Sequence, residues 1–368
     1  MWGFESPFPY QNNTMSELII QPTVIEAIKP HPNADRLEIA VIGGWEIVTG
    51  KDNYNVGDVV VHIQPESMVP SEWTDTWGVT QYLSWKKDVD SGRVRCARLR
   101  GITSFGFLVP NESNAPLGTD LAEHYGIVKY DPPQHLGAGR VSNEHPLFHR
   151  YTNIENLRNH KNSLDYDQEL IVTEKLHGTN SRIGWIVTDD QKGFDFVVGT
   201  HKTQRDPEDC GMYGLPVQLY KEELDRLFDN AMQMGHPGIE EPLAIQSFIV
   251  FGEIYGAGVQ DLHYGAKQEK GYRVFDISIN GTYLSWENLQ SVCAEVGLPT
   301  VPVLDYGIFT FEQLVEFAQG NTTMDDEHVR EGIVVRPRFK ELTWNNSRMI
   351  FKLISDGYML RKGGSEMH

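Results

Sequence analysis

From Leu18 to about Pro110 the hydrophobic positions fall in short runs, LIIQPTVIEAI, LEIAVIGG, WEIVTG, DVVVHI, RVRCARLRG and FGFLVP, punctuated by Gly, Asn and Asp. Runs of this length and β-branched content are strands, and five or six of them within about 95 residues predict a small β-barrel. Residues 111–147 are rich in Pro, Gly and Asn and read as a connector holding one helical turn at Ala-Glu-His-Tyr. Beyond it strands and helices mix. Leu224, Leu227 and Ala231 follow Tyr220 at helical spacing, and Thr310 with Gln313 forms a capping box for a helix ending near Gly320. Asn280-Gly281, between YRVFDISI and TYLSW, predicts a hairpin. The pattern is that of an α+β chain with largely antiparallel sheets. Its expected division is a disordered leader at 1–14, a barrel domain at 15–130, a linker at 131–147 and a second domain at 148–368.

Composition bounds this picture. With 368 residues, 40% of them hydrophobic, the chain can bury a core in each of two domains. Its 51 acidic residues outnumber 32 basic ones for a net charge of −19, which as an average argues against a polyanionic ligand. Locally the balance reverses. Residues 86–100 hold six basic against two acidic side chains and residues 330–362 eight against three, so an acidic body is expected to carry two basic surfaces. Cys96, Cys210 and Cys293 are far apart and odd in number, which excludes a disulfide framework and a Cys-x-x-Cys metal site and points to a reducing, cytoplasmic setting. No run approaches the roughly 18 apolar residues of a membrane span, and MWGFESPFPYQNNT lacks the basic and apolar regions of a signal peptide.

The candidate chemistry begins at TEKLHGTN, residues 173–180. Lys175 closes a β-rich run, and Gly178 lets backbone approach a ligand closely. An ammonium at a buried strand end is costly unless compensated; a lysine reaching the surface fits the same four residues. Three further segments change the odds. Glu253 stands at the end of the apolar strand in VFGEIYGAGVQ, Glu331 opens EGIVVRP, and Lys352 lies within RMIFKLIS in alternation with Ile350 and Ile354. Two lysines and two carboxylates at apolar strand ends suit phosphoryl or nucleotidyl transfer. Acids hold a divalent cation, one lysine neutralises phosphate and another attacks.

Taken in order, KLHGTN, FGE, YRVFDI, EGIVVRP and FKLIS resemble the covalent nucleotidyltransferase superfamily of ATP-dependent ligases and capping enzymes, most of all its RNA ligase 2 branch. FHRYTNIEN at 148–156 is similar to the opening of that catalytic domain, and the resemblance covers about residues 148–363. The segments HPNADRLEIAVIGGWEIVTGKDNYNVGD and RLRGITSFGFLVP resemble OB-fold domains of the tRNA-binding type. The resemblance implies an RNA ligase that joins 3′-hydroxyl and 5′-phosphate ends with ATP and Mg²⁺ or Mn²⁺. Lys175 would be the nucleophile that takes AMP. Glu253 and Glu331 would serve ribose and metal, and Lys352 the α-phosphate. Glu174, His177, Asn180, Lys202, Phe275 and Arg336 would line the nucleotide, Asn180 at the sugar, Lys202 at the ribose or donor phosphate where the family usually has an arginine, and Phe275 against adenine, with His177 organising the loop.

Two departures from the branch stand out. Ile354 replaces its usual second lysine, a contact that Arg336 or Arg348 could supply. The chain ends 16 residues after Lys352, leaving no room for a C-terminal helical or OB domain and matching a smaller bacterial and protist branch with the OB domain in front. The implied partners are RNA ends or a nicked RNA-containing duplex, with no membrane and a monomeric enzyme. Two alternatives stay open: a DNA ligase or GTP-using capping enzyme, and an inert RNA-binding OB protein.

Overall fold

The computed structural model describes residues 18–131, 139–234, 245–339, 343–344 and 347–361. The expected leader, residues 132–138 of the expected linker, Lys340 and Lys362 lie outside these.

Ten strands occupy residues 22–110: β1 (Pro22–Val24), β2 (Ala27–Pro30), β3 (Leu37–Ile42), β4 (Trp45–Gly50), β5 (Val59–Ile63), β6 (Ser67–Pro70), β7 (Ser91–Arg93), β8 (Cys96–Leu99), β9 (Ile102–Phe105) and β10 (Phe107–Pro110). The number exceeds the five or six expected because single hydrophobic runs turn corners. LIIQPTVIEAI breaks after Val24: β1 pairs with β5, whereas β2 pairs with β3. One continuous apolar run thus serves two sheets, the device by which small barrels close. RVRCARLRG divides likewise between β7 and β8, which pair with β6 and β9. Inside, Val61, Ile63, Val69, Val94 and Val109 pack with Leu121 and Tyr125 from the connector, where the expected helical turn is a turn closed by Tyr125 N–H to the Leu121 carbonyl. A short β11 (Val128–Lys129) adds to β6.

The second half is built on two antiparallel-dominated sheets. One has the order β12-β24-β21-β13-β20, made of β12 (Glu155–Asn156), β13 (Leu170–Lys175), β20 (Val303–Gly307), β21 (Gly332–Pro337) and β24 (Phe351–Ile354), with β22 (Thr343–Trp344) and β23 (Ser347–Arg348) paired to each other between the last two. The other has the order β16-β15-β14-β17-β18-β19, made of β14 (Thr179–Val187), β15 (Phe194–Thr200), β16 (Gln204–Arg205), β17 (Ser247–Gly256), β18 (Lys270–Ile279) and β19 (Thr282–Tyr283). Asn280 and Gly281, both at positive φ, make the two-residue turn between β18 and β19, as their sequence requires. Among the helices, Leu215–Met234 carries the Leu224–Leu227 stripe, and Phe311–Ala318 is held by the capping box of Thr310 and Gln313.

The sheets face each other across a shared core. Ile171 of the first sheet belongs to the same buried cluster as Ile183, Val250, Val274 and Ile277 of the second, while Leu170, Val172, Ile333 and Val335 face the other way, onto Phe311 and Leu314. The barrel is seated on this body by Arg158 and Asn159. Arg158 donates to the Gly44 carbonyl at 2.8 Å and lies 4.4 Å above the Phe105 ring; Asn159 Oδ1 accepts from Trp45 Nε1 at 2.7 Å and Gln64 Nε2 at 2.9 Å.

Of the two expected basic surfaces, one survives. In the barrel, Lys86, Lys87, Arg98 and Arg100 are exposed, although Arg93 is paired with Glu66 at 2.7 Å. Among its described residues the C-terminal stretch does not form a second such surface: Arg330, Arg336, Arg348 and Lys352 are buried, Arg330 bonded to the carbonyls of Phe317 and Asn321, and Arg338 is paired with Glu169 and Glu287. Summing charge along a sequence cannot separate a solvated cation from one that ties strands together.

Candidate active site

The sequence TEKLHGTN crosses from one sheet to the other. β13 ends on Lys175, the turn Leu176–His177–Gly178 follows, and β14 begins at Thr179. Gly178 is required here for space: any Cβ would collide with the Ile254 carbonyl oxygen of β17. That approach lets the Gly178 N–H donate to Glu253 Oε1 at 3.0 Å. Glu253 is the seventh residue of the ten-residue β17, not its last as the sequence suggested, because the strand runs on to Gly256. It is in register with Asn180.

Lys175 Nζ lies 2.7 Å from Glu331 Oε1, a nearly buried ammonium on a fully buried carboxylate. Ladder register places the second lysine. Lys352 is opposite Val334, and Val334 is opposite Thr173, two residues before Lys175. Opposed residues, and residues two apart, share a face of a sheet. Lys352, Thr173 and Lys175 therefore share the face turned to the second sheet, with Lys352 almost wholly buried. Ile354, opposite Gly332 and through it Lys175, stands in the same row, so the branch's usual second lysine would have extended this cluster.

The same alternation removes the Glu174 carboxylate from the site. Glu174 lies opposite Ile333 on the other face, where its Oε2 accepts from the Thr323 N–H at 2.9 Å and hydroxyl at 2.8 Å. Arg336 is also not brought to Lys175. It pairs with Ile171, four residues down β13 and so about 13 Å along the strand, and its guanidinium donates to Asp276 Oδ2 at 2.8 Å. Arg348 donates to the same oxygen at 2.9 Å, so neither arginine substitutes for a lysine at position 354. His177 is buried against Tyr358, whose hydroxyl is 3.1 Å from its Nδ1, and its N–H donates to Tyr264 Oη at 2.6 Å. Phe275 is half-buried at the β-bulge of β18, with the Tyr151 ring 4.8 Å away, and Lys202 lies past the end of β15, 3.8 Å from Asp131.

Sequence reasoning missed the group that locks the sheets together. Asp276, fully buried, accepts from Arg336, Arg348 and Tyr151, the last at 2.8 Å. Each of these four residues belongs to a different segment, YRVFDI, EGIVVRP, RMIFKLIS and FHRYTNIEN. An aspartate inside an apolar strand was the available signal, since a buried carboxylate requires cationic partners.

The residues present fit a nucleotide with a divalent cation. Glu253 and Glu331 are like charges in one cleft, and burial first, then Glu331, pushes the Glu253 carboxyl up to about 8, against the pull of Lys175 and the Gly178 N–H. A dication relieves both causes. Asn180 Oδ1 is buried without a hydrogen-bond partner among the described residues, which leaves an acceptor for a ligand hydroxyl.

The comparisons agree with this geometry. An OB-fold domain model matches residues 20–111. Among solved structures, the fold resembles the Naegleria gruberi RNA ligase with pyrophosphate, at 23% identity and a TM-score of 0.74 over 93% of this chain and 97% of that one. A lysine-to-alanine variant of that ligase with ATP and Mn matches at 22% identity and 0.74 over 93% and 98%, and a glutamate-to-alanine variant with AMP and Mn at 22% and 0.73 over the same shares. No curated protein sequence matches significantly. A model of the RNA ligase family matches residues 168–354, which include both walls of the cleft and every strand that carries its lysines and carboxylates. That match spans half of the chain, and the protein accordingly belongs to the RNA ligase family.

Proposed function

We propose that the enzyme seals 3′-hydroxyl and 5′-phosphate RNA ends through a covalent lysyl-AMP, with ATP as the AMP donor. The observation that carries this reading is the Lys175–Glu331 pair with Glu253 and Lys352 on the walls of one cleft. Lys175 Nζ, freed of its proton, forms a bond to the α-phosphorus of ATP as the α–β anhydride breaks and pyrophosphate leaves. The 5′-phosphate oxygen of the RNA then takes AMP from the lysine. Finally the 3′-hydroxyl oxygen bonds to that 5′-phosphorus, and AMP departs. Glu331 aims the amine, Lys352 balances charge on the α-phosphate, Asn180 and Lys202 reach the sugar side, and Phe275 offers its face to adenine. Glu174, His177 and Arg336 act by holding these groups in place. Mg²⁺ or Mn²⁺, held by Glu253 and Glu331, would neutralise charge developing on the phosphate.

The expected division remains a barrel at 15–130, a linker at 131–147 and a catalytic domain at 148–368. The barrel's exposed Lys86, Lys87, Arg98 and Arg100 support a role in holding RNA. The wide spacing and odd number of Cys96, Cys210 and Cys293 support a cytoplasmic setting, where repair of broken RNA, nicked duplexes included, by a monomeric enzyme is the expected task. No helix among the described residues is long and apolar enough to cross a membrane.

Labelling with ATP and GTP in parallel, followed by nicked duplexes carrying RNA or DNA on the 3′-hydroxyl side, tests the assignment. ATP and an RNA 3′ end are expected to be preferred. A GTP adduct would point to a capping-type enzyme, indifference to the 3′ sugar to a DNA ligase, and no adduct at all to an inert RNA-binding protein.

A pH dependence follows from Glu253. A cation must displace the proton held up to about 8, so the protonated form competes below that value and Mn²⁺ affinity is expected to fall about tenfold per unit as pH drops from 8 toward 6. Above 8 it should level off. Calorimetric titration of the full-length protein reads this, and the Glu253→Gln variant should show no such slope; an equal slope in both would remove Glu253 from the cation site.

A further inference from the structure

We infer that His263, Asp325 and His328 form a second cation site, apart from the carboxylates beside Lys175, that takes one divalent transition ion of the zinc class. One ligand atom from each lies within 4.8 Å of the others. His263 Nδ1 is 3.3 Å from Asp325 Oδ2, and His328 Nε2 is 3.9 Å from Asp325 Oδ1. With metal–ligand bonds of about 2.0–2.1 Å, tetrahedral ligand atoms stand about 3.3 Å apart, so the His263–Asp325 pair already has that spacing, and His328, within 4.8 Å of both, has to swing in by up to about 1.5 Å to complete the set.

The electron pairs argue for a cation between these atoms. His328 Nδ1 lies 3.0 Å from the Val329 carbonyl, which can only accept, so that nitrogen carries the proton and Nε2 carries a lone pair; Nε2 indeed lies 3.1 Å from the Tyr264 N–H. His263 Nδ1 accepts from the Gly265 N–H at 3.1 Å, so it too presents a lone pair. Between them Asp325, its side chain nine-tenths buried, offers only acceptors, and its Oδ2 has no hydrogen-bond partner among the described residues. Three lone-pair donors thus converge, and among the described residues the hydrogens supplied to the two imidazoles there are the backbone N–H groups of Tyr264 and Gly265, which a bound ion would displace. Two imidazoles and one carboxylate select zinc-like ions over Mg²⁺, which prefers oxygen. A histidine ligand that gives its other N–H to a backbone carbonyl, as His328 does to Val329, is the usual outer arrangement of such sites. Glu327 adds negative charge 3.7 Å from His263 Nε2, partly offset by Lys267 at 2.7 Å from Glu327.

The site's reach into the protein runs through Tyr264, between His263 and Gly265. Tyr264 sits at φ +51°, uncommon for a residue with a side chain, and its hydroxyl accepts from the His177 N–H in the turn after Lys175. An ion that fixes the Tyr264 loop would therefore hold that turn. The site requires nothing of the proposed ligation chemistry, so it stands or falls separately.

Full-length protein stripped with a chelator and titrated with Co²⁺ in excess Mg²⁺ tests it. One equivalent should bind with visible d–d absorption and be displaced by one equivalent of Zn²⁺. The same titration should be unchanged in Glu331→Gln and weakened at least tenfold in Asp325→Asn and His263→Ala. X-ray absorption of the zinc form should show two imidazole nitrogens and no sulfur, a readout that holds even if a variant fails to fold. No stoichiometric binding, sulfur ligation, or affinity unchanged in both site variants would overturn the inference.

Discussion

Replacing Asp276 with alanine is expected to lower the stability of the protein by roughly 3–5 kcal/mol, the cost of leaving buried charges without their partner. Asp276 is fully buried and receives Arg336 at 2.8 Å, Arg348 at 2.9 Å and the Tyr151 hydroxyl at 2.8 Å. Without it two guanidiniums remain inside, one 4.7 Å over the Trp286 ring and the other 3.7 Å over Tyr283, neither able to reach water without opening the packing. Since Asp276 is on β18 and Arg336 on β21, the loss acts across the two sheets that form the cleft, and adenylylation should fall with stability. Asp276→Asn keeps an acceptor oxygen and should lose less. Urea unfolding of the three proteins side by side measures this, and a change under about 1 kcal/mol for alanine would mean that the cluster does not join the sheets.

The second large effect is on chemistry. Glu331→Gln is expected to slow lysyl-AMP formation by on the order of 10²–10⁴-fold, because it removes the charge that a divalent cation needs while conserving shape. Glu331 is fully buried and bonded to Lys175 Nζ at 2.7 Å, and glutamine can still accept that hydrogen bond. Folding should be little changed, which separates this variant from Asp276→Ala. Single-turnover labelling with ATP at saturating Mn²⁺ reads the rate. A loss smaller than about threefold would show that Glu331 only positions the lysine.

Much of this was legible beforehand, in particular places. ELIVTEK announced a strand ending on Lys175, Asn280-Gly281 a tight hairpin, and Thr310 with Gln313 a helix start, because each signal is local and its cause lies within a few residues. The opposed placement of Glu174 and Lys175 was also readable, since neighbours on a strand point to opposite faces; motif order alone concealed it. Other features depended on contacts far apart in the chain. That Arg336 and Arg348 meet Asp276 requires knowing that β18 and β21 face each other, and no local pattern says so. The corner after Val24 was hidden because an apolar run looks the same whether it stays in one sheet or passes into another.

In the proposed reaction Lys175 is the residue that carries AMP. Incubation of full-length protein with ATP and Mn²⁺, followed by peptide mapping by mass spectrometry, tests it most directly. One AMP is expected on the peptide containing Lys175, bound through an acid-labile phosphoramidate, and none in Lys175→Ala. An adduct that persists in the variant, or one mapped to Lys352 or Lys202, would contradict it.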